Sequence, residues 1–327
     1  MATIFNALPG IEVPVSGIKH HLAGMWSDTA ASGGAAPPAK DAKATQVNLV
    51  LHLGLPTTVD DALAQFAVVE KFSQQYPSRI VVLCPLAGPE AEGVTDMRAK
   101  IFGQCYLGKN KNDARCVEFV ILSYPLSTRS FIESQVSICL STDLPLYYWA
   151  HRFAANAKLA DYRYLLGRAR RVLIDSSIAP ADAKLYPLPR PEVLRDLVYS
   201  RLLPVRQSLG QFLAGYEPGQ LVEKLTTVTV THGDDLAAEA RVLSGWLQRR
   251  LAACGAAQIE FAQPAAEAGR LGVEFGYDAK GKHFRWQGEL KTGHAHFACN
   301  FGGGETKLSA SFGLLAPERA LSEAMFF

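Results

Sequence analysis

Residues 135–152, QVSICLSTDLPLYYWAHR, hold the side chains best suited to chemistry. The stretch reads as a helix end, a Ser-Thr-Asp turn and a buried aromatic strand, with His151 and Arg152 just past the strand's carboxyl end. Open α/β sheets bind ligands outside the carboxyl ends of their strands. An arginine fork there suits a phosphate, a carboxylate or a partner protein. The structural alternative is an ion pair with a carboxylate such as Asp143. Period-two alternation sends Tyr148 and Ala150 to one face and Tyr147 and Trp149 to the other, so helices must cover both. Downstream, Asp175 and Ser176 follow a second strand in RVLIDSS. They either join the same strand-end pocket or form a turn in which Asp and Ser bond their own backbone. In LRDLVYSRLLPVRQ, Arg195, Arg201 and Arg206 recur near helical spacing, with Asp196 among them. They read as ion pairs around a kink, or as a face that docks onto another protein, where arginine and aromatic residues are the usual anchors.

Other chemistries lack their motifs. No Gly-x-Gly-x-x-Gly follows a strand and no Walker loop occurs, so no nucleotide cofactor is expected. Gly302-Gly303-Gly304 suits a hairpin loop that needs positive φ. No Gly-x-Ser-x-Gly elbow supports a serine hydrolase. His294 and His296 share a face of a strand, a spacing that can ligate a metal only with a third ligand, and no metal is expected. The six cysteines (Cys84, Cys105, Cys116, Cys139, Cys254 and Cys299) include no Cys-x-x-Cys pair and read as free, mostly buried thiols.

The elements that must position these groups follow from the pattern of apolar residues. Residues 1–30 form an entry arm, with Ile18, Leu22 and Trp26 on one helix face. Residues 31–46 are small and Pro/Gly-rich, a flexible linker. From residue 47 to about 216, apolar strands (47–53, 79–84, 116–124, 146–150 and 172–174) alternate with helices. Segment 97–105 is harder to type. Continuous apolar strands belong to a sheet covered on both faces. The expected fold is therefore α/β: an open, mostly parallel sheet with helices on both faces. Pro191 opens a helix that Pro204 kinks or splits, its second half running to about residue 214. Residues 217–327 form a smaller α+β domain, with a helix over 236–251, an antiparallel meander over 271–312 and a closing helix near Pro317.

Length and composition bound the rest. At 327 residues the chain suits two domains, and 48% hydrophobic with 20% charged content is that of a globular protein. A net charge of +2 gives no field that would draw nucleic acid or an acidic membrane. No apolar run is long enough to span a bilayer and no export signal is read at the start, so the cytoplasm is the expected location.

Several stretches, in order, resemble the glucose-6-phosphate dehydrogenase assembly protein family, OpcA. They are MATIFNALPGIEVPVSGI, QVNLVLHLG, PSRIVVLCP, Glu133-Ser134-Gln135 leading into VSICLSTDLPLYYWAHR, RVLIDSS and RDLVYSRLLPVRQSLGQFL. Together they run through most of residues 1–213. The resemblance implies a cytoplasmic, non-catalytic accessory factor that binds glucose-6-phosphate dehydrogenase and promotes its assembly or allosteric activation. It would thereby support NADPH production in the oxidative pentose phosphate pathway. A sensor of sugar phosphates or nucleotides, or an undetected enzyme using the strand-end pocket, is the alternative. Tyr148, Trp149, His151, Arg152, Asp175, Ser176, Arg195, Arg201 and Arg206 are the candidate binding residues under either reading.

Overall fold

The computed structural model describes residues 3–31, 45–107, 114–153, 156–179, 183, 186–256 and 258–327. Most of the linker read over 31–46 lies outside the described residues, as does the side chain of Trp26. Two compact units emerge: Met1–Asp196 with Leu321–Phe327, and Leu197–Ala320.

The first unit begins with α1 (Ile4–Ala7), β1 (Ile11–Val13) and α2 (Ile18–Ala31). It continues with β2 (Val47–Leu53), α3 (Val59–Gln75), β3 (Ser78–Leu86), β4 (Arg98–Leu107) and β5 (Ala114–Pro125). After α4 (Arg129–Cys139) come β6 (Leu146–His151), α5 (Arg163–Arg168), β7 (Ala169–Ile174) and β8 (Leu194–Asp196). The strands form an eight-stranded sheet in the order β1-β4-β5-β3-β2-β6-β7-β8. β5, β3, β2, β6, β7 and β8 run parallel, and β4 joins the β5 edge antiparallel. Every residue of β2 and of β6 is buried, which is why both strands read as mostly apolar runs. Ile132 and Val136 of α4 and Leu165 and Leu166 of α5 cover the face of Val50, Val120 and Tyr148. On the other face, Phe66 of α3 packs on Phe119 at 4.6 Å between ring centroids. Phe326 lies edge-on to Tyr147 at 5.7 Å. Helices on both faces of a mostly parallel sheet are thus the observed fold.

The second unit holds α6 (Leu197–Arg201), α7 (Leu203–Leu213), α8 (Pro218–Val222), β9 (Leu225–His232), α9 (Ala237–Ala253) and β10 (Glu260–Ala262). The meander β11 (Arg270–Tyr277), β12 (His283–Glu289), β13 (His294–Asn300) and β14 (Thr306–Ser311) follows; the last helix, α10 (Pro317–Phe326), begins in this unit, and its residues from Leu321 on belong to the first. The sheet runs β10-β9-β11-β12-β13-β14. β12 and β13 alternate buried with exposed residues, the signature of a sheet covered on one face. The buried side packs Phe275, Phe284, Trp286 and Phe297 against Leu243 and Leu247 of α9 and Val205 and Leu209 of α7.

Three expectations are revised. The helix read from Pro191 begins instead as a short 3-10 turn and the edge strand β8, and only then come α6 and α7, two helices split just before Pro204. Leu194–Asp196 bond to β7 instead of continuing a helix. Pro204 sits in the first turn of α7, where no hydrogen bond is lost. The division between units therefore falls at Asp196, ahead of the boundary read near 216, because Val198, Leu202 and Leu209 pack into the second core. Finally, Cys105 and Cys116 are joined in a disulfide. The antiparallel register of β4 with β5 sets these residues directly opposite each other. Cys84, Cys139 and Cys299 are free and buried, and Cys254 is half-buried.

Candidate functional site

Strand order locates the site. The chain leaves β2 toward β3 and β5, then returns to the opposite side of β2 as β6. Such a reversal leaves a crevice at the carboxyl ends of the two central strands, the place where doubly wound sheets take ligands. Leu53 of β2 and His151 of β6 are register partners at this end.

On the α3 side, the crevice is closed by groups of the chain itself. His151 Nε2 donates to Asp61 Oδ2 at 2.8 Å, and Arg152 Nε donates to the same oxygen at 2.5 Å. Gln65 Nε2 donates to the other oxygen, Oδ1, at 3.1 Å. Asp61 stands in the first turn of α3, capped by Thr58 Oγ1, which accepts from the Asp61 N–H at 3.2 Å. A carboxylate is favoured at this positive helix end. Burial pushes the Asp61 carboxyl up, but His151, Gln65 and Arg152 outweigh it and hold the pKa below the usual value. Burial depresses the pKa of His151, only partly offset by Asp61. A neutral His151, an ionised Asp61 and Arg152 together carry no net charge. In dinucleotide-binding sheets a glycine-rich turn and a bare helix N-terminus receive a pyrophosphate here. In this chain the turn is Gly54-Leu-Pro-Thr-Thr58, and α3 opens with Asp60 and Asp61, which repel a phosphate.

The backbones lock in the same place. The Gly54 N–H donates to the His151 carbonyl at 2.7 Å. A Cβ on Gly54 would lie 2.0 Å from the Arg152 carbonyl oxygen, so only glycine fits. Arg152 itself takes the left-handed region, with φ 51°.

On the other face of the sheet lies a buried polar chain. His52, fully buried in β2, has Nδ1 on the Tyr148 hydroxyl and Nε2 2.8 Å from the Tyr124 hydroxyl. The Tyr124 hydroxyl is in turn 2.8 Å from that of Tyr162. Burial lowers the His52 pKa to about 3, so the ring is neutral and donates to one tyrosine while accepting from another. Beside this chain a cavity of about 140 Å³ opens, lined by His52, Leu55, Leu126, Phe153 and Tyr162 among others.

The sequence-derived candidates divide as follows. His151 and Arg152 meet at the strand end, and Arg152 pairs with Asp61 rather than Asp143. Tyr148 and Trp149 are interior groups, 0% and 3% exposed, and offer no surface to a partner. Asp175 forms the turn: its Oδ1 accepts from the N–H of Ser177 at 2.9 Å and from the Ser177 hydroxyl at 2.5 Å. The Ser176 N–H donates to Asp196 Oδ1 at 3.1 Å. Arg195, on β8, donates to the carbonyls of Glu192 and Leu194. In the second unit, Arg201 Nε donates to the buried Glu239 at 2.6 Å, and Arg206 lies 3.6 Å over the Tyr199 ring. Asp61, His52, Tyr124 and Tyr162 were missed from sequence. A histidine inside the apolar run VNLVLHL was the available signal, since a buried polar ring must find partners. Among the described residues no three His, Cys, Asp or Glu side chains gather as a metal set. His296 Nδ1 instead lies 3.0 Å from Ser309 Oγ.

No family model matches the chain, and no curated protein matches it. Solved structures of similar shape include an oxidoreductase from Sinorhizobium meliloti, at 10% identity and a TM-score of 0.42, covering 85% of this chain and 86% of that one. A second is a probable oxidoreductase, yhhX, at 9% identity and a TM-score of 0.33, covering 85% and 94%. A third is dipicolinate-bound dihydrodipicolinate reductase from Paenisporosarcina sp. TG-14, at 8% identity and a TM-score of 0.30, covering 86% and 92%. Among the described residues no helix is long and apolar enough to cross a membrane.

Proposed function

We propose that the protein is a non-catalytic accessory factor that binds glucose-6-phosphate dehydrogenase and promotes its assembly or allosteric activation. In this role it supports NADPH supply through the oxidative pentose phosphate pathway, in the cytoplasm. The observation that carries the reading is the ordered run of stretches through residues 1–213 that resembles the OpcA family. The switch point supports it. Where a catalytic sheet of this strand order would hold a cofactor phosphate, Asp61 already takes up His151 and Arg152. Arg152 keeps 39% of its side chain exposed while paired with Asp61, and that exposed part is what this strand end presents to a partner.

An activator must bind the active state of its target more tightly than the inactive one. The test mixes the purified protein with the dehydrogenase of its host. Co-elution and a shifted glucose-6-phosphate saturation curve are expected. If the two proteins elute separately and the curve is unchanged, the reading fails.

A further inference from the structure

The cavity at the carboxyl ends of β2, β3 and β5 takes no part in the partner reading, and its walls specify a ligand. Leu55, Pro85, Leu126 and Phe153 make it mainly apolar. Its two charged lining groups cancel each other: Arg129 Nη1 and Asp161 Oδ2 are 2.7 Å apart. Its base is also uncharged, because His52 is neutral, with both ring nitrogens committed to tyrosine hydroxyls. The cavity thus offers no surplus charge to an anion or a cation. It does offer a hydrogen bond. Tyr162 lines it, and the Tyr162 hydroxyl has one partner among the described residues, the Tyr124 hydroxyl. A phenol oxygen donates once and accepts twice, so Tyr162 keeps capacity for another partner.

We propose that this cavity binds a small neutral molecule, apolar over most of its surface, that carries one hydroxyl or carbonyl group for Tyr162. The volume of about 140 Å³ sets the size. An apolar cavity of ~150 Å³ holds benzene, so a ligand of about six to nine non-hydrogen atoms fits. The chemistry differs from that of a sugar phosphate or nucleotide, whose charge would meet no unpaired cation here. Leu55 and Leu126, 47% and 38% exposed, form the outer part of the lining and give the ligand its entrance.

The probe is 4-fluorophenol, titrated with the full-length chain and followed by fluorine NMR. Saturable binding is expected, competed by phenol and not by inorganic phosphate or benzoate. Leu126→Trp fills the entrance and should abolish binding. Leu55→Trp serves the same purpose should the first variant fail to fold, judged by an unchanged unfolding midpoint. Tyr162→Phe should weaken 4-fluorophenol by about tenfold, the usual effect of one lost hydrogen bond, and leave fluorobenzene unaffected. Absence of saturable binding overturns the proposal. So does binding that survives a folded tryptophan variant, or that phosphate or benzoate displaces better than phenol does. Because no dehydrogenase is present, failure here is separable from failure of the partner reading.

Discussion

His52 shows how burial converts one side chain into a pH-dependent element of stability. Its pKa is depressed to about 3 by burial, against ~6.5 for a free imidazole. Between those values the unfolded chain binds a proton that the folded chain does not. The stabilisation is therefore complete above pH ~6.5 and falls as the pH drops toward 3, by about 1.4 kcal/mol per unit. His151, also depressed by burial, adds a loss of the same sign below pH ~6.5. Urea unfolding of the parent chain from pH 7 to 4 should show both. His52→Gln, which can still donate and accept a hydrogen bond, should flatten the profile by about one proton's worth, or ~1.4 kcal/mol per unit. An unchanged slope would mean that the ring is protonated in the fold. Little of this was legible beforehand. The sequence places a histidine in an apolar strand, but its tyrosine partners come from β5 and β6, 72 and 96 residues away. Only the sheet order brings them together.

At the scale of elements, the β2–α3 turn is held by two kinds of contact of unequal worth. The Thr58 hydroxyl caps α3, and a lost cap costs about 1 kcal/mol. Gly54 meets the backbone carbonyl of Arg152, an atom that cannot swing aside. Gly54→Ala should accordingly cost about 2–3 kcal/mol, at the upper end for overpacking, and Thr58→Ala about 1 kcal/mol. Equal losses in chemical denaturation would show that β2 and β6 do not approach this closely in solution. Elements of this kind differ in how openly the sequence declares them. β2, β3 and β6 were readable because strands buried on both faces are apolar over most of their length. β8 was not, since its three residues become a strand only by pairing with β7. The Cys105–Cys116 bond was hidden likewise, because it follows from the β4–β5 register rather than from cysteine spacing.

At the scale of the whole molecule, chain order and packing order part company at the carboxyl terminus. Residues Leu321–Phe327 belong to the first unit, although the chain reaches them after the second. The sequence reading placed the closing helix near Pro317 in the 217–327 domain, because aromatic and aliphatic side chains suit either core and chain order was the only guide. Leu321 and Met325 are 0% and 1% exposed. Phe326 lies 4.8 Å from the Tyr76 ring and 6.1 Å from that of Phe72, both at the end of α3. Losing a buried Leu or Met side chain typically costs 2–5 kcal/mol, so deleting residues 321–327 should open the sheet face that carries Tyr147. Local opening free energies set amide exchange rates, with each ~1.4 kcal/mol worth a factor of ten. Hydrogen exchange in α3 and β6 should therefore quicken by at least about tenfold in the truncated chain. β12 and β13, whose core is built from Phe284, Trp286 and Phe297 with α7 and α9, should keep their protection. Faster exchange in β12 and β13 with α3 and β6 unchanged would reverse the assignment of this terminus.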